Sequence, residues 1–148
     1  MTEENTENFN GLIAALSEAT GETLSLEDGK VLFAIDEDLG VSIVPADEED
    51  AGVDVAIASI LIGPAPEDEE LLRFVLEQNY LGVGSGEGSF SIEAESGALV
   101  LYRAVPLPFD AAEFVDAFGR LAGAARAARA RINGTAEPTS GLDSRIMI

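Results

Sequence analysis

The side chains available for chemistry here are carboxylates: 28 Asp and Glu, with no histidine and no cysteine. Paired carboxylates run glycoside hydrolysis, one as acid and the other as base or nucleophile. That chemistry calls for aromatic platforms under the sugar, and the chain has no Trp and two Tyr. No Asp or Glu is set apart from the others by its neighbours, so no catalytic residue is assigned. The missing imidazole and thiol exclude His-based triads, thiolate nucleophiles, disulfides and Cys/His zinc sites. The expectation is a protein that is not an enzyme.

Two motifs tempt a different reading. Gly82, Gly84, Gly86 and Gly88 recur at every second position. A dinucleotide fingerprint needs G-x-G-x-x-G opening a helix, whereas this run fails at Glu87, follows a predicted helix and leads into a predicted strand. It reads as a flexible connector. "DEDLG" and "DEED" have the acidity of a calcium loop. An EF-hand also needs a Gly at its sixth position and a Glu at its twelfth, between two helices. Here the flanks read as strands, so solvated turns are expected, with no metal and no cofactor. "NGT" at Asn133 matches a glycosylation sequon but has no export signal ahead of it.

The 148 residues carry a net charge of −20. Residues 1–70 hold 19 of the acids and a single base, Lys30. Such a surface repels nucleic acid and anionic headgroups, and favours basic or uncharged partners. The longest apolar run, Val53 to Ile62, includes Asp54 and is too short to span a membrane. "MTEENTEN" lacks the basic and apolar regions of an export signal, which makes the cytoplasm the expected compartment.

The elements follow from hydrophobic period. Phe9, Leu12, Ile13 and Leu16 have helical spacing, stopped by Gly21. "TLSLE" alternates weakly, "DG" turns the chain, and "KVLFAID" alternates through Val31, Phe33 and Ile35. "GVSIVP" reads as a strand stopped by Pro45, and "VDVAIASILIG" as a long one. A helix covers 67–80. "SFSIEAE" and "ALVLYRAVP" form a hairpin through "SG". The last helix starts at Asp110, with Glu113 three residues on and Phe109 and Phe114 placed as a staple. Its face is Phe114, Phe118, Leu121, Ala125 and Ile132, and Arg120, Arg126, Arg129 and Arg131 are expected to serve its negative pole. The order α-β-β-β-α-β-β-α predicts an α+β domain with an antiparallel sheet over residues 1–132, and a flexible tail over 133–148.

Helix 67–80 has an apolar surplus. One stripe holds Leu71, Phe74 and Val75; the other holds Leu72, Leu76 and Tyr80. The sheet can cover one of them. Leaving the other in water forgoes roughly 4–8 kcal/mol of burial. Another helix of the same chain could cover it, and a second copy of the protein is the more economical neighbour. Strand "VLFAID" raises the same question, since Leu32 and Ala34 lie opposite Phe33 and Ile35.

This order, with "FAIDED", "LLRFVLEQN" before a glycine-rich stretch, "ESGALVLYRAVPL" and the helix from Asp110, resembles the class I type III secretion chaperones of the CesT/Tir chaperone family. The resemblance covers roughly residues 9 to 132. It implies a bacterial, cytoplasmic, non-enzymatic homodimer joined through the second helix, at Leu72, Arg73, Leu76 and Tyr80. The implied partner is the unfolded N-terminal region of a secreted effector, with Leu12, Leu16, Leu32, Ala34, Val41 and Ile43 as candidate groove residues. It implies no nucleic-acid or membrane partner. The alternatives are an interaction module of the same fold without a secretion role, and an acidic mimic of nucleic acid.

Overall fold

Thr2 caps the first helix, α1 (Glu3–Thr20), its hydroxyl accepting from the Asn5 amide at 3.1 Å, and Gly21 ends it in the left-handed conformation. The structure, a computed structural model, describes residues 1–48 and 53–134. The predicted acidic stretch from Glu49 to Gly52 and the predicted tail beyond Gly134 lie outside the described residues. After α1 come β1 (Val31–Ile35), β2 (Leu39–Glu48), β3 (Val53–Pro64), α2 (Glu69–Gln78), a single 3-10 turn (Tyr80–Gly82), β4 (Ser89–Ile92), β5 (Ala98–Pro106) and α3 (Ala111–Ile132). The expected α+β order stands. The five strands form one antiparallel sheet in the order β1-β2-β3-β5-β4.

Local chemistry accounts for the ends. "DG" turns as expected, with Asp28 and Gly29 both at positive φ, although residues 23–27 contribute an isolated bridge from Glu27 to Lys30 and no strand. Pro45 does not stop β2, which continues to Glu48. β1 pairs with β2 no further than Ile43, so the missing N–H of Pro45 falls where no outer strand needs a donor. Asp110 caps α3, accepting from the Glu113 amide at 3.0 Å. The turn from β4 to β5 is longer than two residues: Glu93 and Ala98 close it, with Gly97 at φ 73°.

Register assigns the two faces of the sheet. Val31, Phe33 and Ile35 stand opposite Ile43, Val41 and Leu39; Val41 and Ile43 in turn meet Ile60 and Ala58. These share one core with Leu99, Leu101 and Phe90, and with Phe9, Leu12, Leu16, Phe114, Phe118 and Leu121 of α1 and α3. Phe33 and Phe118 pack with ring centroids 5.8 Å apart and planes tilted by 41°. Each fully buried large apolar side chain contributes roughly 1.5–3 kcal/mol.

The arginines of α3 clamp that helix in place. Arg126 pairs with Asp36, Arg129 with Asp38 at 3.5 Å, and Arg120 with Glu87 at 2.8 Å. Arg131 lies over the Phe74 ring, 4.4 Å from its centroid. Arg129 and Arg131 also stand in the last turn, as the dipole reading expected, but the described contacts tie the helix to three other parts of the chain. At the opposite end of the molecule, the Met1 ammonium lies 3.2 Å from Asp47, and Asp54 accepts from Asn5 Nδ2 at 2.7 Å and the Thr2 amide at 3.2 Å. The Asn5 hydrogen bond, with the Thr2 N–H adding to it, holds the Asp54 carboxyl below its ordinary pKa.

Candidate functional site

α2 is placed by its caps and by one buried side chain. Asp68 accepts from the Glu70 and Leu71 amides at 2.8 and 3.3 Å, and Val75 is its buried residue. Asn79 then grips β4 in both directions, its Oδ1 accepting from the Phe90 amide at 2.7 Å and its Nδ2 donating to the Phe90 carbonyl at 3.2 Å. The chain reverses at Leu81, whose φ of 52° is left-handed. This leaves Leu76, Tyr80, Leu81 and Val83 exposed by 66, 72, 82 and 83% on one corner. Arg73, exposed and 3.9 Å from Glu77, flanks them. Leu72 is half-buried.

The glycine run behind this corner is packed in place, contrary to its reading as a flexible connector. A Cβ at Gly86 would lie 2.5 Å from the Arg120 carbonyl oxygen, and one at Gly88 would lie 2.6 Å from both Leu121 Cδ1 and the Tyr102 carbonyl oxygen. Glycine is present because backbone approaches backbone, and Gly86 also needs a φ of 62°. Ser85 is fully buried and donates to the Gly88 carbonyl at 2.6 Å. Glu87 completes the anchorage between Arg120 and Arg103, the latter 3.8 Å away. The exposed corner is therefore rigidly mounted.

The second surface is the sheet face turned away from α1 and α3. Its rows run Leu32–Ser42–Ser59–Tyr102–Ser89 and Ala34–Gly40–Leu61–Val100–Ser91, then Val44–Ile57–Ala104 and Ala46–Val55–Pro106. None of these positions carries a charge, in a chain of net charge −20. Leu32, Leu61 and Tyr102 are exposed by 63, 48 and 39%. Large apolar side chains standing in water on uncharged rows have the character that docking surfaces share. At its edge, β1 has a neighbour on one side within the sheet, β2. Beside β1 a groove of about 630 Å³ is lined by Thr20, Glu22, Phe33, Ala34, Ile35, Asp36, Glu37 and Arg126.

The predicted groove residues divide sharply. Leu12, Leu16, Val41 and Ile43 are core, each 2% exposed or less, and in the fold as it stands no docked chain can reach them. Leu32 and Ala34 are exposed. Helical and strand spacing show which residues share a face but not which face looks inward, and the leucines of α1 face α3 and the sheet. Sequence reasoning missed Leu61, Tyr102, Leu81 and Val83. The signal for the first two was the apolar character of both alternating sets in "VDVAIASILIG" and "ALVLYRAVP".

Metal binding finds no site among the described residues. No group of three or more carboxylates could hold a metal there. Asp36 and Asp38, two of the three carboxylates of the tempting "DEDLG" loop, are paired with Arg126 and Arg129. No described helix is long and apolar enough to cross a membrane.

Comparison with known proteins agrees with this fold. The family model of the Tir chaperone protein (CesT) family matches residues 11–129. A chain of the HopA1–SchA chaperone–effector complex is similar in fold, with a TM-score of 0.66 at 16% identity over 87% of this chain and 98% of that one. A chain of the ExsC–ExsE complex has a TM-score of 0.67 at 17% identity, over 89 and 97%. One from the heterodimeric ExoU–SpcU complex of the type III secretion system of Pseudomonas aeruginosa has 0.59 at 18%, over 86 and 98%. No curated protein sequence matches the chain.

Proposed function

We propose a function for this chain from one premise: it belongs to the Tir chaperone protein (CesT) family. It acts as a non-enzymatic chaperone that binds the N-terminal region of a type III secreted effector in the cytoplasm and keeps it competent for export. The observation that carries this reading is the pair of apolar surfaces held in water by a rigid scaffold. The uncharged sheet face and the β1 edge suit an extended client, which gains backbone hydrogen bonds along the edge while its apolar side chains cover Leu32 and Ala34. The α2 corner, with Leu72, Arg73, Leu76 and Tyr80, suits a second copy of the chain. Structural neighbours taken from a chaperone–effector complex and from a heterodimeric complex of a type III secretion system support the same role.

A preformed scaffold matters because an unfolded client loses conformational entropy on docking, and a rigid receptor adds no such cost of its own. Co-expression with the product of a neighbouring open reading frame, followed by affinity capture, tests the function. The expected result is retention of the product's N-terminal region, and its loss on Leu32→Asp with Ala34→Asp. Retention of no segment, by a chain that folds normally, would overturn the reading.

A further inference from the structure

Resting on the reading of the β1 edge as the client site, we propose that the segment bound there carries a lysine or arginine two positions from an apolar residue, and that Glu22 and Glu37 select it. The choice of edge comes first. β1 and β4 are the two outer strands of the sheet. On β4, Asn79 accepts from the Phe90 amide and donates to the Phe90 carbonyl, so a side chain already stands where an added strand would pair. Among the described residues, no side chain plugs the backbone of Val31–Ile35 in this way.

The groove beside β1 joins an apolar floor to an acidic rim. Phe33 lines the floor, half-buried, with its ring packed on Phe118. Glu22, Asp36 and Glu37 stand on the rim against a single base, Arg126. That base is already paired with Asp36, so Glu22 and Glu37 are exposed carboxylates with no ion pair among the described residues. The end of α1 adds charge of the same sign. Its last turn has no basic residue, where that of α3 has Arg129 and Arg131, and its negative pole beside Glu22 lacks a cation. An extended segment puts residues two apart on one face, about 7 Å from one another. An apolar side chain over Phe33 therefore brings its neighbour two positions away to the face that α1 covers, where Glu22 stands. A long cationic side chain there lays its stem along the floor and its charge against the rim. An acidic residue at the same place would meet like charges, so the rim rejects as well as selects.

A library of short random segments displayed on phage and selected on the full chain tests this. The expected result is enrichment of segments with an apolar residue and a Lys or Arg two positions apart. Enrichment of the base should fall about fivefold on Glu22→Gln with Glu37→Gln, which removes two exposed ion pairs, while that of the apolar residue persists. The most enriched segment, made as a peptide, should bind the parent about fivefold tighter than this variant in low salt, and equally in one-molar sodium chloride. The variant remains strongly acidic, which separates the rim from net charge. A preference for basic segments that survives the two substitutions, or enrichment without a base, would overturn the proposal and leave the client reading standing. Enrichment of no segment, or enrichment undiminished by Leu32→Asp with Ala34→Asp, would overturn both.

Discussion

Glu87 joins two guanidiniums to a loop that packs by glycine contact, and its removal should be felt. Arg103 Nη1 is buried without a hydrogen-bond partner, leaving the carboxylate 3.8 Å away as its nearest described countercharge. The Arg120 arm is half exposed and is worth at most about 1 kcal/mol. Glu87→Ala should therefore cost about 1–2 kcal/mol in urea unfolding. Two glycines give opposite expectations. Gly86→Ala meets backbone and an unfavourable φ, and should cost about 2 kcal/mol or more. Gly119→Ala, on the exposed face of α3 with nothing within 4 Å, should stabilise by about 0.5–1 kcal/mol. Asp54 supplies a pH test. Its folded pKa is depressed, so its stabilisation is complete above the unfolded value and fades as pH falls through the folded one. Below about pH 4 the thermal midpoint of the parent protein should drop more steeply than that of Asp54→Asn.

At the scale of elements, much was legible because it is written in local chemistry. Asp110 with Glu113, the "DG" turn and the left-handed Gly21 each announce themselves through backbone groups a few residues away. What failed depended on distant neighbours. Pro45 reads as a stop until β1 is seen to end beside Ile43. The glycine run reads as slack until Arg120 and Leu121 are seen against it. Leu12, Leu16, Val41 and Ile43 read as groove candidates because periodicity does not say which side another element covers. Their placement followed once β1 and β2 were in register, with Val41 opposite Phe33. The surplus stripe of α2 was legible in kind: Leu76 and Tyr80 do stand in water, and the turn after α2 adds Leu81 and Val83. Because these side chains touch little within their own chain, Leu76→Asp with Tyr80→Asp should change the unfolding free energy of a single chain by less than about 0.5 kcal/mol. The same pair should weaken self-association about 100-fold or more in sedimentation equilibrium, from about 3–6 kcal/mol of lost burial.

For the whole molecule, the contrast lies between a net charge of −20 and two surfaces that expose large apolar side chains, one of them flanked by the Arg73–Glu77 pair. The charge repels anionic polymers and keeps the chain dispersed while its apolar faces wait for polypeptide. The two contributions separate with salt. Client binding through apolar side chains and strand pairing should survive one-molar sodium chloride, where an acidic mimic on a basic partner would lose affinity steeply. An isothermal titration in low and high salt distinguishes them. The corner built by α2 and the turn after it is expected to be covered by a second copy of the chain. Light scattering at micromolar concentration measures that most directly. A particle of twice 15.4 kDa that falls to 15.4 kDa on Leu76→Asp with Tyr80→Asp is the predicted result. A parent protein that scatters as a single 15.4 kDa chain across that concentration range would contradict it.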